Sequence, residues 1–166
     1  IARLCREAGA LLVHVSTDYV FDGRPGRPWR EDDPVDPVNA YGRGKLGGER
    51  RALASGAEVL VVRTSWVFAP GGVNFVDTIL GLAESGREEL RVVDDQRGRP
   101  TFAPDLARAL VKLVSVGARG LVHFANAGET TWYGLAREAL ARAGFSGVSV
   151  VPCASDEFQR PAARPA

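Results

Sequence analysis

A tyrosine and a lysine four residues apart, Tyr41 and Lys45, are the clearest candidates for chemistry in this sequence. In a helix this spacing puts both side chains on one face, one turn from each other. A phenol exchanges protons poorly at neutral pH unless a nearby cation stabilises its phenolate, and the lysine supplies that charge. The pair can therefore protonate a carbonyl oxygen while a reduced nicotinamide gives hydride to the carbon. Thr17 is a candidate to polarise the same oxygen.

Glycines surround this pair, in the run Tyr41-Gly-Arg-Gly-Lys-Leu-Gly-Gly48. Four glycines in a helix cost roughly 3 to 4 kcal/mol relative to alanine. Close approach of a cofactor or another helix would explain small residues on such a face, as in the stripe Tyr41, Lys45, Gly48 and Ala52. By itself, the tyrosine–lysine spacing also fits an ordinary pair on a helix surface.

Short apolar runs alternate with segments of helical periodicity along the chain. The runs predict strands at 10–15, 59–62, 90–93, 121–125 and 148–151, and the periodic segments predict helices at 39–54, 74–85, 104–116 and 131–143. This alternation predicts an α/β fold with a doubly wound parallel sheet.

Polar segments follow three of the predicted strands, at 16–19, 63–66 and 94–101. Ligands of open parallel sheets bind beyond the carboxyl ends of the strands, so we expect the site at these segments. The loop at 22–37, rich in glycine, proline and charge, should lie on the surface near that site.

The composition excludes several other classes of function. The 21 basic and 20 acidic side chains leave a formal charge of +1, so no overall field favours nucleic acid or an anionic membrane. The two cysteines match no metal or redox spacing, and no secretory signal or long apolar run is present. We expect a cytoplasmic protein with no metal site, no nucleic-acid partner and no membrane attachment. His14 and His123 should be core histidines with satisfied hydrogen bonds.

Several blocks of residues resemble, in order, those of one enzyme family. The blocks are V-H-V-S-T-D-Y-V-F-D-G from Val13, N-A-Y-G-R-G-K-L-G-G-E from Asn39, R-T-S-W-V-F from Arg63, G-V-N-F from Gly72, D-D-Q-R-G-R-P-T from Asp94 and the final R-P-A-A-R-P-A. They resemble the dTDP-4-dehydrorhamnose reductase family of the extended short-chain dehydrogenase/reductases. The resemblance implies a Rossmann-like fold and NADPH-dependent reduction, with NADH as the alternative cofactor.

The resemblance also implies a role for each matching residue. Thr17, Tyr41 and Lys45 would be catalytic, and Ser16, Tyr41, Lys45 and Thr64 would hold the cofactor. The dTDP-sugar substrate would contact Thr17, Asp18, Tyr19, Tyr41 and Trp66. Trp66 beside an apolar strand could equally be a core residue, and Arg97 and Arg99 could bind a diphosphate or simply be solvated.

The implied reaction is reduction of dTDP-4-dehydro-L-rhamnose to dTDP-L-rhamnose, which supplies bacterial surface polysaccharides. Related sugar-nucleotide dehydratases carry an Asp-Glu pair after the threonine, whereas this chain has Asp18-Tyr19. Elimination therefore lacks its base, and reduction is favoured. Two alternatives stay open: another 4-keto-deoxysugar nucleotide reductase, and a non-catalytic subunit resembling the regulatory partner of methionine adenosyltransferase. A homodimer is one option for the assembly.

The family's glycine-rich turn for the cofactor pyrophosphate does not occur in this sequence. The chain opens at Ile1 as if within a helix and closes on a proline-rich stretch, so we expect truncation at both ends. Residues 1–166 would form one domain, the C-terminal half of a Rossmann-like domain (about 1–70) running into a substrate-binding portion (about 71–166). Alone, it should bind dinucleotide poorly and be inactive.

Overall fold

A computed structural model describes residues 1–24, 26–158, 162 and 164–165 of the chain. These residues form two compact units. The first is built from Ile1–Ser65 and Asp105–Ala125, and the second from Trp66–Pro104 and residues 126–158. Most of the block at 160–166 lies outside the described residues. That the chain forms one domain, passing from one portion to the next near residue 70, stays a prediction.

Helices and strands alternate along the chain as the sequence predicts. The helices of the described residues are α1 (Ala2–Glu7), α2 (Ala40–Leu53), α3 (Phe75–Glu84), α4 (Ala103–Ser115) and α5 (Trp132–Arg142). The strands are β1 (Leu12–Thr17), β2 (Val59–Thr64), β3 (Val67–Phe68), β4 (Glu89–Val93), β5 (Arg97–Gly98), β6 (Thr101–Phe102), β7 (Gly120–His123), β8 (Thr130–Thr131) and β9 (Ser149–Cys153). The predicted helices correspond to α2 through α5, and every end lies within one residue of its predicted position.

The first unit is a parallel sheet covered by a helix on each face. Its strand order is β1-β2-β7, and the central strand β2 is buried at every position. Val59 and Val61 pack on the face covered by α2, whereas Leu60 and Val62 pack with Leu106 of α4 on the other. An apolar strand between two helical layers is what a doubly wound sheet requires, so the predicted fold class is confirmed.

The second unit packs two helices on a smaller sheet. In that sheet β4 pairs in parallel with β9. Two further two-stranded sheets pair β3 with β6 and β5 with β8. Its core contains Ile79 of α3, Leu90 and Val92 of β4, and Ala136 and Leu140 of α5.

The first two strands extend further than their apolar runs. Parallel pairing continues through Ser16 with Arg63 and Thr17 with Thr64, so these polar residues end β1 and β2 instead of following them. The extension brings two threonines side by side at the carboxyl end of the sheet.

The third polar segment does not lie at the edge of the same sheet as the other two. Residues 94–101 follow β4, which pairs with β9 in the second unit and not with the strands of the first. A short apolar run does not show which strand it will pair with, because tertiary packing decides the partner. Among the described residues, no helix combines the length and the apolar character needed to cross a membrane.

Candidate active site

The helix that carries Tyr41 and Lys45 begins at an asparagine cap. The Oδ1 atom of Asn39 accepts a 2.8 Å hydrogen bond from the N–H of Gly42, which satisfies one of the free donors of the first turn. Asn39 is itself buried, so the cap is fixed by packing as well. Tyr41 therefore projects from a turn whose position is well defined.

Two of the four helix glycines are explained by close approach, though not of a cofactor. A Cβ atom at Gly42 would lie 2.1 Å from the carbonyl oxygen of Tyr19, and one at Gly48 would lie 3.3 Å from Nε2 of His14. Among the described residues outside the backbone of the helix, a Cβ atom at Gly44 would meet nothing within 4 Å, and one at Gly47 would meet only the flexible end of Arg51. The helix is thus pressed against the β1 strand and the segment after it.

Thr17 ends β1 and caps the short 3-10 turn Asp18–Val20 that follows. Its Oγ1 accepts a 3.2 Å hydrogen bond from the N–H of Tyr19 and donates a 3.0 Å bond to Oδ1 of Asp18. A threonine hydroxyl has a single proton. Thr17 must therefore release Asp18 before it can donate to a ligand.

Asp18 lies in a desolvated position beside Thr17. Burial raises its pKa from 3.8 to about 6, although the hydrogen bond from Thr17 and backbone N–H groups act in the opposite direction. Asp18 thus changes its charge close to neutral pH, at the centre of the predicted substrate residues.

Lys45 and Tyr41 lie at the same end of β1. The Nζ atom of Lys45 donates a 2.6 Å hydrogen bond to the carbonyl oxygen of Val15, which uses one of its three donors. The Tyr41 side chain is 57% exposed, and its ring meets that of Tyr19 edge to face, with centroids 5.7 Å apart. Thr17, Asp18, Tyr19, Tyr41 and Lys45 thus lie at one end of β1, and their roles there stay predictions.

Ser16 and Thr64, the other two predicted cofactor residues, are both buried beside this cluster. Among the described residues, the Oγ atom of Ser16 has no hydrogen-bond partner. A buried hydroxyl without a partner is costly, and the polar group of a ligand would remove that cost. Ser16 therefore fits a role in holding a polar cofactor.

Trp66 belongs to the second unit and is strained. Its φ angle of 46° lies in the left-handed region that a bulky side chain rarely adopts. The indole stacks on Trp132 with centroids 3.6 Å apart, and a Cβ atom at Gly98 would lie 2.5 Å from its Cε2 atom. Strain held by such packing is characteristic of functional positions.

The two histidines differ from each other. Among the described residues, Nε2 of His14 is buried without a partner, so the prediction of a satisfied core histidine is wrong there. Burial lowers the pKa of His14, and the charge of Lys45 lowers it further. The ring of His123 contacts the carbonyl of Trp29 and a nitrogen of Arg63.

Arg97, for which the sequence left two roles open, lies at the surface. Its Nε donates a 2.6 Å hydrogen bond to Glu129, and both side chains are largely exposed.

The sequence interpretation missed a buried ion pair between Glu49 and Arg63. Glu49 continues the row of Tyr41 and Lys45 one turn further along α2. The sequence did offer a signal for this pair, because Glu49 is a carboxylate on the side of the helix that faces a buried strand.

Comparisons with known proteins identify the family of the chain. The whole chain, residues 1–166, matches the family model of the RmlD substrate binding domain. A dTDP-4-dehydrorhamnose reductase of Mycobacterium tuberculosis is 45% identical over 170 residues, covering 99% of this chain and 56% of the relative. A dTDP-4-keto-6-deoxy-D-glucose reductase of Streptomyces niveus is 43% identical over 166 residues, covering 99% of this chain and 57% of the relative.

Solved structures give the same picture. The crystal structure of a dTDP-4-dehydrorhamnose reductase from Bacillus anthracis in complex with NADP has a TM-score of 0.94 and 37% identity, covering 99% of this chain and 58% of that one. The chain therefore spans somewhat more than half the length of the relatives it matches.

Proposed function

The chain belongs to the family of the RmlD substrate binding domain, and from this membership we propose that the protein carrying it is a cytoplasmic reductase. Its reaction is the NADPH-dependent reduction of the C4 ketone of dTDP-4-dehydro-L-rhamnose to dTDP-L-rhamnose. The observation that carries the proposal is the cluster at the end of β1, where the ring of Tyr41 packs against Tyr19 and Lys45 is bonded to the Val15 carbonyl, two residues before Thr17.

Tyr41 donates the proton. Its phenol is the exposed acid of the cluster, and it would protonate the ketone oxygen as the alcohol forms. Lys45 sits one turn along the same face, so its positive charge stabilises the phenolate that remains. The bond from Lys45 to Val15 holds the ammonium near that position.

Thr17 polarises the ketone oxygen by a hydrogen bond. In the structure its proton goes to Asp18, so substrate binding would turn the hydroxyl from the carboxyl to the ketone. Asp18 would then accept a hydrogen bond from a sugar hydroxyl when ionised, or donate one when protonated. A carboxyl that changes charge near neutral pH can do either.

Ser16, Tyr41, Lys45 and Thr64 would hold the cofactor. When bound, NADPH supplies the hydride that reduction of a ketone requires. The unpartnered hydroxyl of Ser16 supports this assignment, because it offers a buried polar contact to the ligand. Lys45 keeps further N–H donors besides the one directed at Val15.

Tyr19 favours reduction over dehydration. Removing water across two carbons needs a second acid or base beside the first, and the residue after Asp18 is an aromatic side chain packed against Tyr41. Reduction needs only the proton of Tyr41 in addition to a hydride. Trp66 is proposed as a wall for a ring of the substrate, which its strained conformation supports.

The test uses the gene product that contains this chain. Purified protein is mixed with NADPH and dTDP-4-dehydro-L-rhamnose, the loss of NADPH absorbance is followed, and the product is identified by NMR. The proposal expects dTDP-L-rhamnose. Absence of NADPH oxidation by the folded protein would refute it.

A second candidate is reduction of dTDP-4-keto-6-deoxy-D-glucose. It is favoured by the 43% identity to the Streptomyces niveus reductase of that name. The same assay separates the two candidates, because each predicts a higher kcat/KM for its own ketone. The configuration of the product at C4 and C5, read by NMR, gives independent evidence.

A further inference from the structure

Glu49 and Arg63 form a buried ion pair one helical turn from Lys45, a residue that the proposed reaction uses. Nε of Arg63 donates to Oε1 of Glu49 at 2.9 Å, and Nη2 donates to Oε2 at 2.7 Å. The residues are 1% and 5% exposed. Removing two charges from water is costly, and an apolar pair often stabilises a fold equally well. Stability alone is therefore a weak explanation for this pair.

The location of the pair suggests another role. Glu49 lies one turn beyond Lys45 and two turns beyond Tyr41 on the same side of α2. Arg63 is the penultimate residue of β2, paired in register with Ser16 on one side and His123 on the other. The ion pair thus joins the catalytic helix to the middle strand. Two parallel hydrogen bonds restrict the rotation of the helix more than a single contact would.

Arg63 is also held on its other sides. Its guanidinium lies over the ring of Phe21, 5.0 Å from the centroid, and its Nη1 is 3.4 Å from Nε2 of His123. Phe21 in turn stacks on Trp29 with centroids 4.1 Å apart. Phe21 directly follows the 3-10 turn that contains Tyr19. The guanidinium of Arg63 therefore contacts both Glu49 on α2 and the segment after β1.

We infer that Glu49 and Arg63 are positioning residues that fix Tyr41 and Lys45 relative to Thr17 and Tyr19, a role that rests on the proposed function. Neither side chain would touch the reacting atoms. Without the pair, α2 could shift relative to β2. Even a small displacement is enough to misalign a proton transfer.

A spectroscopic test does not depend on catalysis. The sequence contains three tyrosines, Tyr19, Tyr41 and Tyr133. The first two meet edge to face, so each ring shifts the resonances of the other, whereas Tyr133 belongs to the second unit. In gene product labelled with 13C-tyrosine, the signals of these three residues are assigned by replacing each in turn with phenylalanine. Glu49→Gln should then move the ring signals of Tyr19 and Tyr41 and leave those of Tyr133 in place. Unmoved signals in a folded variant would overturn the assignment.

Kinetics test the catalytic consequence. Glu49→Gln should lower kcat by about 10- to 100-fold while KM for the ketone and for NADPH changes less than about twofold. The matched control is Glu138→Gln, which makes the same change in an exposed ion pair with Arg142 on α5 and should alter neither kcat nor the tyrosine signals. A role in stability only would lower the melting temperature of Glu49→Gln and leave kcat of the folded protein unchanged.

If Glu49→Gln does not fold, the double variant Glu49→Leu with Arg63→Met replaces it, because it removes both buried charges together. A folded double variant with displaced Tyr19 and Tyr41 signals supports the positioning role, and one with unmoved signals and full kcat overturns it. If the unmodified protein reduces no ketone, the proposed function fails. The tyrosine signals then still decide whether the ion pair positions the two rings.

Discussion

The carbonyl oxygen of Tyr19 lies 2.1 Å from the point where a side chain at Gly42 would begin. No residue with a Cβ atom fits that space unless the backbone moves. The contact joins the first turn of α2 to the segment that carries Thr17, Asp18 and Tyr19. It therefore sets the distance between the proposed proton donor and the proposed substrate contacts.

Gly42→Ala should destabilise the protein by about 3 kcal/mol, because the new methyl group meets backbone instead of a flexible side chain. The matched control is Gly44→Ala, two residues away in the same helix, where the new methyl group would meet none of the described residues within 4 Å outside the helix backbone. The control should raise the free energy of unfolding by about 1 kcal/mol, the ordinary helix preference for alanine. Urea unfolding measures both, and equal effects of the two substitutions would contradict the contact.

Asp18 should make stability depend on pH. Its pKa in the folded protein, about 6, exceeds the ordinary value of 3.8, so folding favours the protonated carboxyl. This stabilisation is fully present below pH ~4 and is lost as the pH rises through ~6, a difference of about 3 kcal/mol. Asp18→Asn removes it. Relative to wild type, the variant should therefore gain stability in urea titrations between pH 4 and 7. A difference that stays constant over that range would contradict the desolvated carboxyl.

Gly98 should be essential for the position of Trp66. A Cβ atom there would lie 2.5 to 2.8 Å from three atoms of the indole, and any shift of the ring disturbs its stack on Trp132. Gly98→Ala should cost roughly 1–3 kcal/mol and weaken the exciton signal of the stacked indoles in circular dichroism. Gly147→Ala in the same unit, with nothing within 4 Å, is the control. An unchanged exciton signal in Gly98→Ala would refute the packing.

The helices, and the placing of Tyr41 and Lys45 on one of them, could be predicted from the sequence because their signals are local. Asn39 and Asn74 cap their helices, and the Tyr41–Lys45 spacing acts within one turn of one helix. Ser16 and Thr17 directly follow an apolar run, and this position was enough to predict that they lie at the carboxyl end of a strand.

The features that could not be predicted from the sequence depend on which distant segments of the chain come into contact. The pairing of β4 with β9, the approach of Tyr19 to Gly42 and the ion pair of Glu49 with Arg63 are tertiary contacts without a fixed spacing in the sequence. The glycines of α2 stand out in the sequence, but Gly42 and Gly48 make room for the Tyr19 backbone and for His14 instead of a cofactor.

The central claim is that Tyr41 is the proton donor, and Tyr41→Phe tests it most directly in the gene product that contains this chain. Phenylalanine keeps the ring contact with Tyr19 and removes only the hydroxyl. Turnover of the ketone, followed by NADPH absorbance, should fall by about 100- to 10,000-fold, whereas Tyr133→Phe in the second unit should leave it unchanged. A Tyr41→Phe protein that reduces the ketone at the unmodified rate would contradict the claim.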